Sequence, residues 1–201
     1  IIRCYTLMYM KLNEIIILGT GTSTGVPTVG CKCAVCLSQD KNNKRLRTSI
    51  ILKTSDQKQI LVDTTPDLRT QLLNNNIDYI DSAIITHEHA DHTHGIDDLR
   101  PFCFHYKPQI PVYTSDICAD VLEDKFPYIF KREEFFKDKK ILGGGIPKLD
   151  LYRIANTQEI EGLEFTFFEL PHGHTKTLGF YTDGLAYIVD CASIPKGVVH
   201  L

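Results

Sequence analysis

The sequence has no long apolar stretch and no low-complexity tract, and we expect no secretory signal in it. Its longest apolar stretches, residues 15–19 and 82–86, are far shorter than the roughly 20 residues that a membrane-spanning helix needs. No basic segment followed by an apolar run opens the chain, as it would in a secreted protein. From these absences we expect a protein outside the membrane, secreted and disordered classes.

The sequence also lacks a strong excess of one charge. Its 22 Lys and Arg residues nearly balance its 25 Asp and Glu residues, which leaves a net charge of −3. Such a chain has no general attraction for nucleic acid or for an anionic membrane. With 43% hydrophobic residues in 201 residues, it can bury the core of one globular domain. We expect a non-native or disordered leader over residues 1–12 and a single domain over residues 13–201.

The seven cysteines are odd in number and unevenly spaced, which argues against a framework of disulfides. Cys31, Cys33 and Cys36 lie within six residues of each other. Three thiolates with such short spacers can occupy three corners of a tetrahedral zinc site, and free thiols point to a reducing cytosol. The alternatives are ordinary buried thiols or a redox pair formed by Cys33 and Cys36.

Many short strand-like segments rich in β-branched residues, with helices between some of them, predict a mixed α/β sandwich. Pro66 and the apolar residues Leu68, Leu72 and Leu73 predict a helix over residues 67–75, and Ser115 is a suitable N-cap for a helix over residues 116–125. Strands are predicted over residues 14–18, 49–53, 59–63, 80–86, 111–114, 151–154, 163–170, 177–182 and 185–190. Residues 137–148 read as an exposed loop or hairpin.

The strongest chemical signal is the run of polar residues from His87 to His94, directly after a predicted apolar strand. In an extended chain, residues two apart face the same way, so His87 and His89 can bind one ion. Asp91 and His92 follow the turn and can face a second ion. Imidazole suits zinc, and a carboxylate suits zinc, iron or manganese. The alternative is a surface loop that happens to be rich in histidine.

The pattern His87-x-His89-x-Asp91-His92, with Gly95 three residues later, resembles the metallo-β-lactamase superfamily of dinuclear metallohydrolases. The flanking segments resemble its phosphodiesterase branch, which contains phosphoribosyl cyclic phosphodiesterase and is related to the tRNA 3′-processing ribonucleases. The resemblance covers nearly the whole chain, from about residue 14 to residue 195. It rests on residues 18–27, the cysteine triplet, and residues 47–49, 63–69 and 95–101.

The resemblance implies an αββα four-layer sandwich with two zinc or manganese ions at one edge. His87, His89 and a later histidine would hold the first ion. His172 is preferred to His174 for that role, because His172-Gly173 precedes Gly179-Phe180 as in the family pattern. Asp91 and His92 would hold the second ion.

Asp190 matches the carboxylate that bridges the two ions in the family. Asp63, which ends a predicted strand, is expected to hold the metal-binding loop, with a helix-capping carboxylate as the alternative. The family needs one further histidine well after Asp190. His200 is the only candidate and does not fit the expected spacing, so the C-terminal part of the fold is expected to be missing. The resemblance also implies one structural zinc on Cys31, Cys33 and Cys36, for which Cys103, His105 and His200 are weak candidates as the fourth ligand.

The implied activity is hydrolysis of a cyclic or nucleotide-like phosphodiester by a water that the two ions share and activate. Asp91 would accept a proton from that water. The expected partner is a small-molecule phosphodiester, with a homodimer as one possible assembly and no membrane partner. Two alternatives remain. One is a tRNA 3′-processing ribonuclease, which the charge of −3 disfavours, and the other is a non-catalytic zinc-binding scaffold.

Overall fold

The computed structural model describes residues 11–106, 109–137 and 145–198, which form two β-sheets and a layer of helices. The larger sheet has six strands in the order β1-β2-β3-β4-β5-β6, and the smaller has four in the order β10-β9-β8-β7. The strands are β1 Leu12–Gly19, β2 Ser49–Thr54, β3 Gln59–Val62, β4 Ser82–Ile84, β5 Ile110–Thr114, β6 Leu149–Arg153, β7 Thr157–Ile160, β8 Leu163–His172, β9 Thr175–Thr182 and β10 Leu185–Tyr187.

The larger sheet changes from antiparallel to parallel pairing at β3. β2 and β3 form the expected hairpin, with Ile51 opposite Leu61. β4, β5 and β6 then follow in parallel, each after a connection that contains helix or loop. Because β3 and β4 run in the same direction, with Val62 opposite Ile84, the chain leaves both strands at one edge of the sheet.

Side-chain alternation along the central strands divides the interior into two cores. Ile51 and Leu61 face the helices, whereas their neighbours Leu52 and Ile60 face the smaller sheet. All four side chains are completely buried. A strand that is apolar on both faces lies between two layers, so the larger sheet is the middle layer of this fold.

The helices are α1 Ala34–Leu37, α2 Leu68–Asn74, α3 Ala90–Thr93, α4 Arg100–His105, α5 Asp116–Lys125, α6 Pro127–Phe130 and α7 Arg132–Phe135, with 3₁₀ turns at Lys41–Asn43 and Ile96–Leu99. Four of the described helices, α2, α4, α5 and α6, contribute buried side chains to one face of the larger sheet. The Ser115 hydroxyl accepts from the Cys118 amide and caps α5 as predicted. In the described part of the chain, every helix residue that belongs to a hydrophobic core belongs to the one that contains Ile51 and Leu61, the first core; the second core contains Leu52 and Ile60. Three of the four expected layers are therefore described.

The structure corrects several details of the sequence-based elements. Leu73 is 59% exposed although Leu68 and Leu72 are buried, because a seven-residue helix turns only part of its surface to the sheet. β4 and β10 are shorter than predicted, and β7 was not predicted.

β1 begins at Leu12, within the expected leader, whose residues 1–10 lie outside the described residues. Cys4, His200 and residues 138–144 also lie outside them. Among the helices that are described, none combines the length and apolar character needed to cross a bilayer.

Candidate metal centre

Four chain segments meet where the two sheets come together at one edge. The segments after β3 and β4 come from the larger sheet, and the β8–β9 hairpin and the segment after β10 come from the smaller. The Leu178 amide of β9 donates to the Thr86 carbonyl at 2.9 Å, which joins the sheets immediately before His87. The polar residues that follow β4 are thereby placed against the end of β8.

His87, His89 and His172 bring three imidazole nitrogens together. The His87 Nε2 and His89 Nδ1 atoms lie 3.1 Å apart, and the His172 Nε2 and His89 Nδ1 atoms also lie 3.1 Å apart. The His87 ring is completely buried, and its Nδ1 atom is 3.0 Å from the Thr86 hydroxyl. The His87 ring is therefore held by a contact on the side away from the other two imidazoles.

These three nitrogens fit the ligand set of one cation. A neutral imidazole nitrogen carries either one hydrogen or one lone pair, so His89 Nδ1 cannot pair fully with two other nitrogens at once. Three nitrogens bound to a tetrahedral zinc ion at about 2.0–2.1 Å would lie roughly 3.3 Å from each other, close to the distances seen here. The chemistry and spacing of the donors thus suit zinc or a similar divalent ion.

A second group shares His87 with the first. The ligand atoms of His87, His92 and Asp190 all lie within 4.8 Å of one another. The His92 Nε2 atom is 3.1 Å from Asp190 Oδ2 and 3.4 Å from Asp91 Oδ2. This arrangement is compatible with two adjacent cation sites that have an imidazole and carboxylates between them.

The electrostatic environments of His87 and His92 are opposite. Burial lowers the pKa of His87 to about 4, and the nearby His92 adds to this effect, so the His87 ring is neutral and keeps a lone pair. Burial alone would lower the pKa of His92 too. The carboxylates of Asp63 and Asp190 outweigh burial and raise the pKa of His92 to about 10. The hydrogen bond from His92 in turn lowers the pKa of Asp190.

Asp63 orients the loop that carries the histidines. Its buried carboxylate accepts from the Thr86 amide at 2.7 Å and from the Thr86 hydroxyl, and its Oδ2 atom is 2.7 Å from His92 Nδ1. A carboxylate on the far nitrogen of a histidine fixes its ring orientation and leaves Nε2 to face an ion. The structure thus supplies the contacts expected of Asp63 from the sequence.

Gly95 allows this loop to pack against the segment after β3. A Cβ atom at Gly95 would overlap the carbonyl oxygen of Thr65. The Thr64 amide donates to the His92 carbonyl at 2.8 Å, and the Gly95 amide donates to the Thr64 carbonyl at 2.9 Å. This close backbone approach explains why glycine follows His92 at this spacing.

The other histidines of the two motifs point elsewhere. His174 is exposed in the turn of the β8–β9 hairpin, where Gly173 adopts a φ of +57°. His94 turns its Nδ1 atom towards the Ala90 carbonyl, and its ring contacts Phe126 edge-on. Of the two candidates after Pro171, the structure brings His172 to the cluster and leaves His174 outside it.

Cys31, Cys33 and Cys36 form a separate cluster at the start of α1, with sulfur atoms within 4.8 Å of one another. The Cys36 amide donates to Cys33 Sγ, and this contact, together with Cys31 and Cys36 thiols, lowers the pKa of Cys33 to about 7. Thiolates are the form in which cysteine binds zinc. Cys103 is buried against Lys148, and neither it nor His105 belongs to the group of sulfur atoms.

The sequence analysis did not predict two contacts that hold the loop containing His87 and His89 in place. The Lys125 ammonium donates to the Glu88 carbonyl at 2.6 Å, between His87 and His89. A hydrogen bond from Thr175 offsets the effect of burial and lowers the pKa of Glu88, so this carboxylate connects the loop to β9. The spacing of the motif alone carries no signal for either contact, because both partners come from distant elements.

Comparisons with known proteins agree with this geometry. A family model described as a β-lactamase superfamily domain matches residues 58–200. The chain is 37% identical over 181 residues to an octanoyltransferase of Porphyromonas gingivalis, a match that covers 89% of this chain and 35% of that protein. This chain thus spans about a third of the length of that relative.

Two solved structures are similar over 92% of the chain. A crystal structure of a new diphosphatase from the PhnP family is 36% identical, with a TM-score of 0.79 and 68% of that chain covered. Zinc-bound PqqB from Methylobacterium extorquens is 21% identical, with a TM-score of 0.68 and 67% covered, and shows the shared fold alone. The resemblance and the fold class expected from the sequence are confirmed: the chain belongs to the metallo-β-lactamase superfamily.

Proposed function

We propose that this protein is a metal-dependent hydrolase that cleaves a cyclic or nucleotide-like phosphodiester. The observation that carries the proposal is the pair of adjacent donor groups that share His87. One holds three imidazoles, and the other combines His92 with the carboxylates of Asp190 and Asp91. Two neighbouring cations can bind both non-bridging oxygens of a phosphodiester, which carries a single negative charge.

Divalent cations bound there would supply Lewis-acid stabilisation of the phosphoryl oxygens and would lower the pKa of a nearby water. The chain's own residues perform the other tasks. Asp63 holds the His92 ring with Nε2 facing the site, and Asp190 lies on the side of His92 opposite Asp63. Asp91 is assigned as the proton acceptor, since its carboxylate is at the site margin with 16% of the side chain exposed.

The similarity to a diphosphatase of the PhnP family favours a second candidate substrate. A diphosphate, like a phosphodiester, presents non-bridging phosphoryl oxygens to the cations and differs mainly in its leaving group. At 36% identity over nearly the whole chain, this relative supports phosphoryl chemistry over cleavage of a lactam or a thioester. The octanoyltransferase name supports no activity here, because the match covers only 35% of that protein.

We further propose that the cysteine cluster binds one structural zinc, in addition to two cations at the histidine sites. The short spacers and the lowered pKa of Cys33 support three thiolate ligands for one zinc ion. The two kinds of site are chemically separable, because one has thiolate donors and the other has imidazole and carboxylate donors.

The test is hydrolysis of bis(p-nitrophenyl) phosphate and of 2′,3′-cyclic nucleotides by the protein loaded with manganese or zinc. An Asp91→Asn variant should lose at least 100-fold in rate, roughly the contribution of a positioned proton acceptor. Asp56→Asn makes the same chemical change on an exposed turn and should leave the rate unchanged.

The alternative functions are distinguished by the substrates that the metal-loaded protein cleaves. A diphosphatase cleaves a nucleoside diphosphate derivative and spares the diesters, and a ribonuclease processes precursor tRNA. A scaffold binds metal and hydrolyses none of these. Cleavage of glutathione thioesters without any phosphodiester would refute the proposed substrate class.

A further inference from the structure

The hydroxyl group of Tyr187 is buried and has no hydrogen-bond partner among the described residues. Tyr187 ends β10, and its ring stacks on Phe180 of β9 with centroids 5.2 Å apart. The stacking fixes the ring, so the hydroxyl cannot turn to solvent without disrupting the second core. Tyrosine usually finds a partner for its hydroxyl when it is buried, and phenylalanine would fill the same space without this cost.

The hydroxyl lies within electrostatic range of the candidate metal centre. Burial raises the pKa of Tyr187 well above its ordinary value, and the negative charges of Asp63 and Asp190 raise it further. Asp190 follows Tyr187 by three residues, in the segment that leads from β10 to the site. The phenol therefore remains protonated and is a hydrogen-bond donor close to two carboxylates.

Of these two carboxylates, Asp190 has the oxygen that is open to a further donor. Both oxygens of Asp63 are already used by Thr86 and His92. The contacts of Asp190 with His87 and His92 both use its Oδ2 atom. Asp190 also adopts a φ of +47°, a conformation that costs energy for a residue other than glycine and that occurs where surrounding contacts impose it.

We propose that Tyr187 is a positioning residue of the metal centre, whose hydroxyl donates to Asp190 Oδ1 directly or through one water when the centre is loaded. This assignment rests on the proposed function, since it requires Asp190 to be a metal ligand. Carboxylates that bind metal are commonly held by a second hydrogen bond of this kind, and its removal typically weakens metal binding 10–100-fold.

The test compares Tyr187→Phe with the unaltered protein, using cobalt alone as the probe. Cobalt is suitable because thiolate-to-metal absorption separates the cysteine cluster from the imidazole site. Tyr187→Phe should weaken cobalt binding at the imidazole site 10–100-fold in a chelator competition. The melting temperature of the chelator-treated variant should be unchanged or higher, because the substitution removes an unpaired buried hydroxyl.

The matched control is Tyr113→Phe, which removes the hydroxyl of another tyrosine packed against the same core. It should leave cobalt affinity within about twofold of the unaltered protein. Equal cobalt affinities of Tyr187→Phe and the unaltered protein would overturn the assignment of Tyr187 alone. A lower melting temperature in the chelator-treated variant would show a structural role instead. Absence of any cobalt site outside the cysteine cluster would overturn both this inference and the metal centre itself.

Discussion

At the residue scale, burial and charge give His87 and His92 different tasks. His87 is buried among other imidazoles and stays neutral, so it can offer a lone pair to an ion without first losing a proton. His92 lies between the carboxylates of Asp63 and Asp190, which stabilise its charged form. A metal ion would have to replace that proton, and the same two carboxylates would then favour the bound cation.

The choice between His172 and His174 is testable at this scale. His172→Ala removes the nitrogen that lies 3.1 Å from His89 Nδ1, so it should abolish hydrolysis and release the first ion. His174→Ala is the matched control, since the same side chain is deleted from an exposed position two residues away. It should retain nearly all bound metal. Metal content measured by mass spectrometry distinguishes the two, and the opposite ranking would show that His174 is the ligand.

At the scale of elements, the β8–β9 hairpin decides where each histidine lies. His172 pairs with Thr175 as the last residue pair of the ladder, which leaves Gly173 and His174 as a two-residue turn. Gly173 takes the positive φ that such a turn needs. A side chain on the ladder is held against the neighbouring sheet, whereas one in the turn points to solvent.

The cysteine segment is an element of a different kind, because α1 has no buried residue and little packing to hold it. Changing Cys31, Cys33 and Cys36 together to Ser should therefore remove one zinc per chain and expose the segment to proteolysis. Cys103→Ser is the control: it alters a buried thiol outside the cluster and should lower stability without changing zinc content. Zinc content that is unaltered in the triple variant would contradict the structural site.

At the scale of the whole molecule, the candidate ligands come from both sheets. Three of them, His87, His89 and His92, follow β4 of the larger sheet. His172 ends β8 of the smaller sheet, and Asp190 lies in the segment after β10. An ion bound between them would connect two layers that otherwise meet through apolar packing and the backbone hydrogen bond from Leu178 to Thr86. Metal binding should therefore stabilise the domain as a unit.

Removal of metal with a chelator should lower the melting temperature of the whole domain. A ligand at 100 times its dissociation constant stabilises the native state by about 2.7 kcal/mol. For a domain of this size that corresponds to roughly 5–10 °C. Calorimetry with and without chelator measures the shift, and His172→Ala should show a much smaller one. An equal shift in that variant would mean that the stabilising ion binds elsewhere.

The sequence by itself determined the features that depend on near neighbours. The alternation of His87 and His89 after an apolar strand, the hairpin of β2 and β3, and the Ser115 cap all follow from local backbone geometry. The family also followed from the sequence, since its motifs are short and ordered along the chain.

Only the tertiary structure decided which distant groups meet. It brought His172 to His89 and placed both carboxylate oxygens of Asp63 against Thr86 and His92. It also left the buried Tyr187 hydroxyl without a hydrogen-bond partner among the residues that the structure describes. The strand predicted to end at Asp190 ends at Tyr187 instead, and Asp190 takes a φ of +47° with its Oδ2 atom 3.1 Å from His92 Nε2. These contacts depend on how two sheets pack, and sequence periodicity records which face of a strand is buried but not which side chain lies opposite.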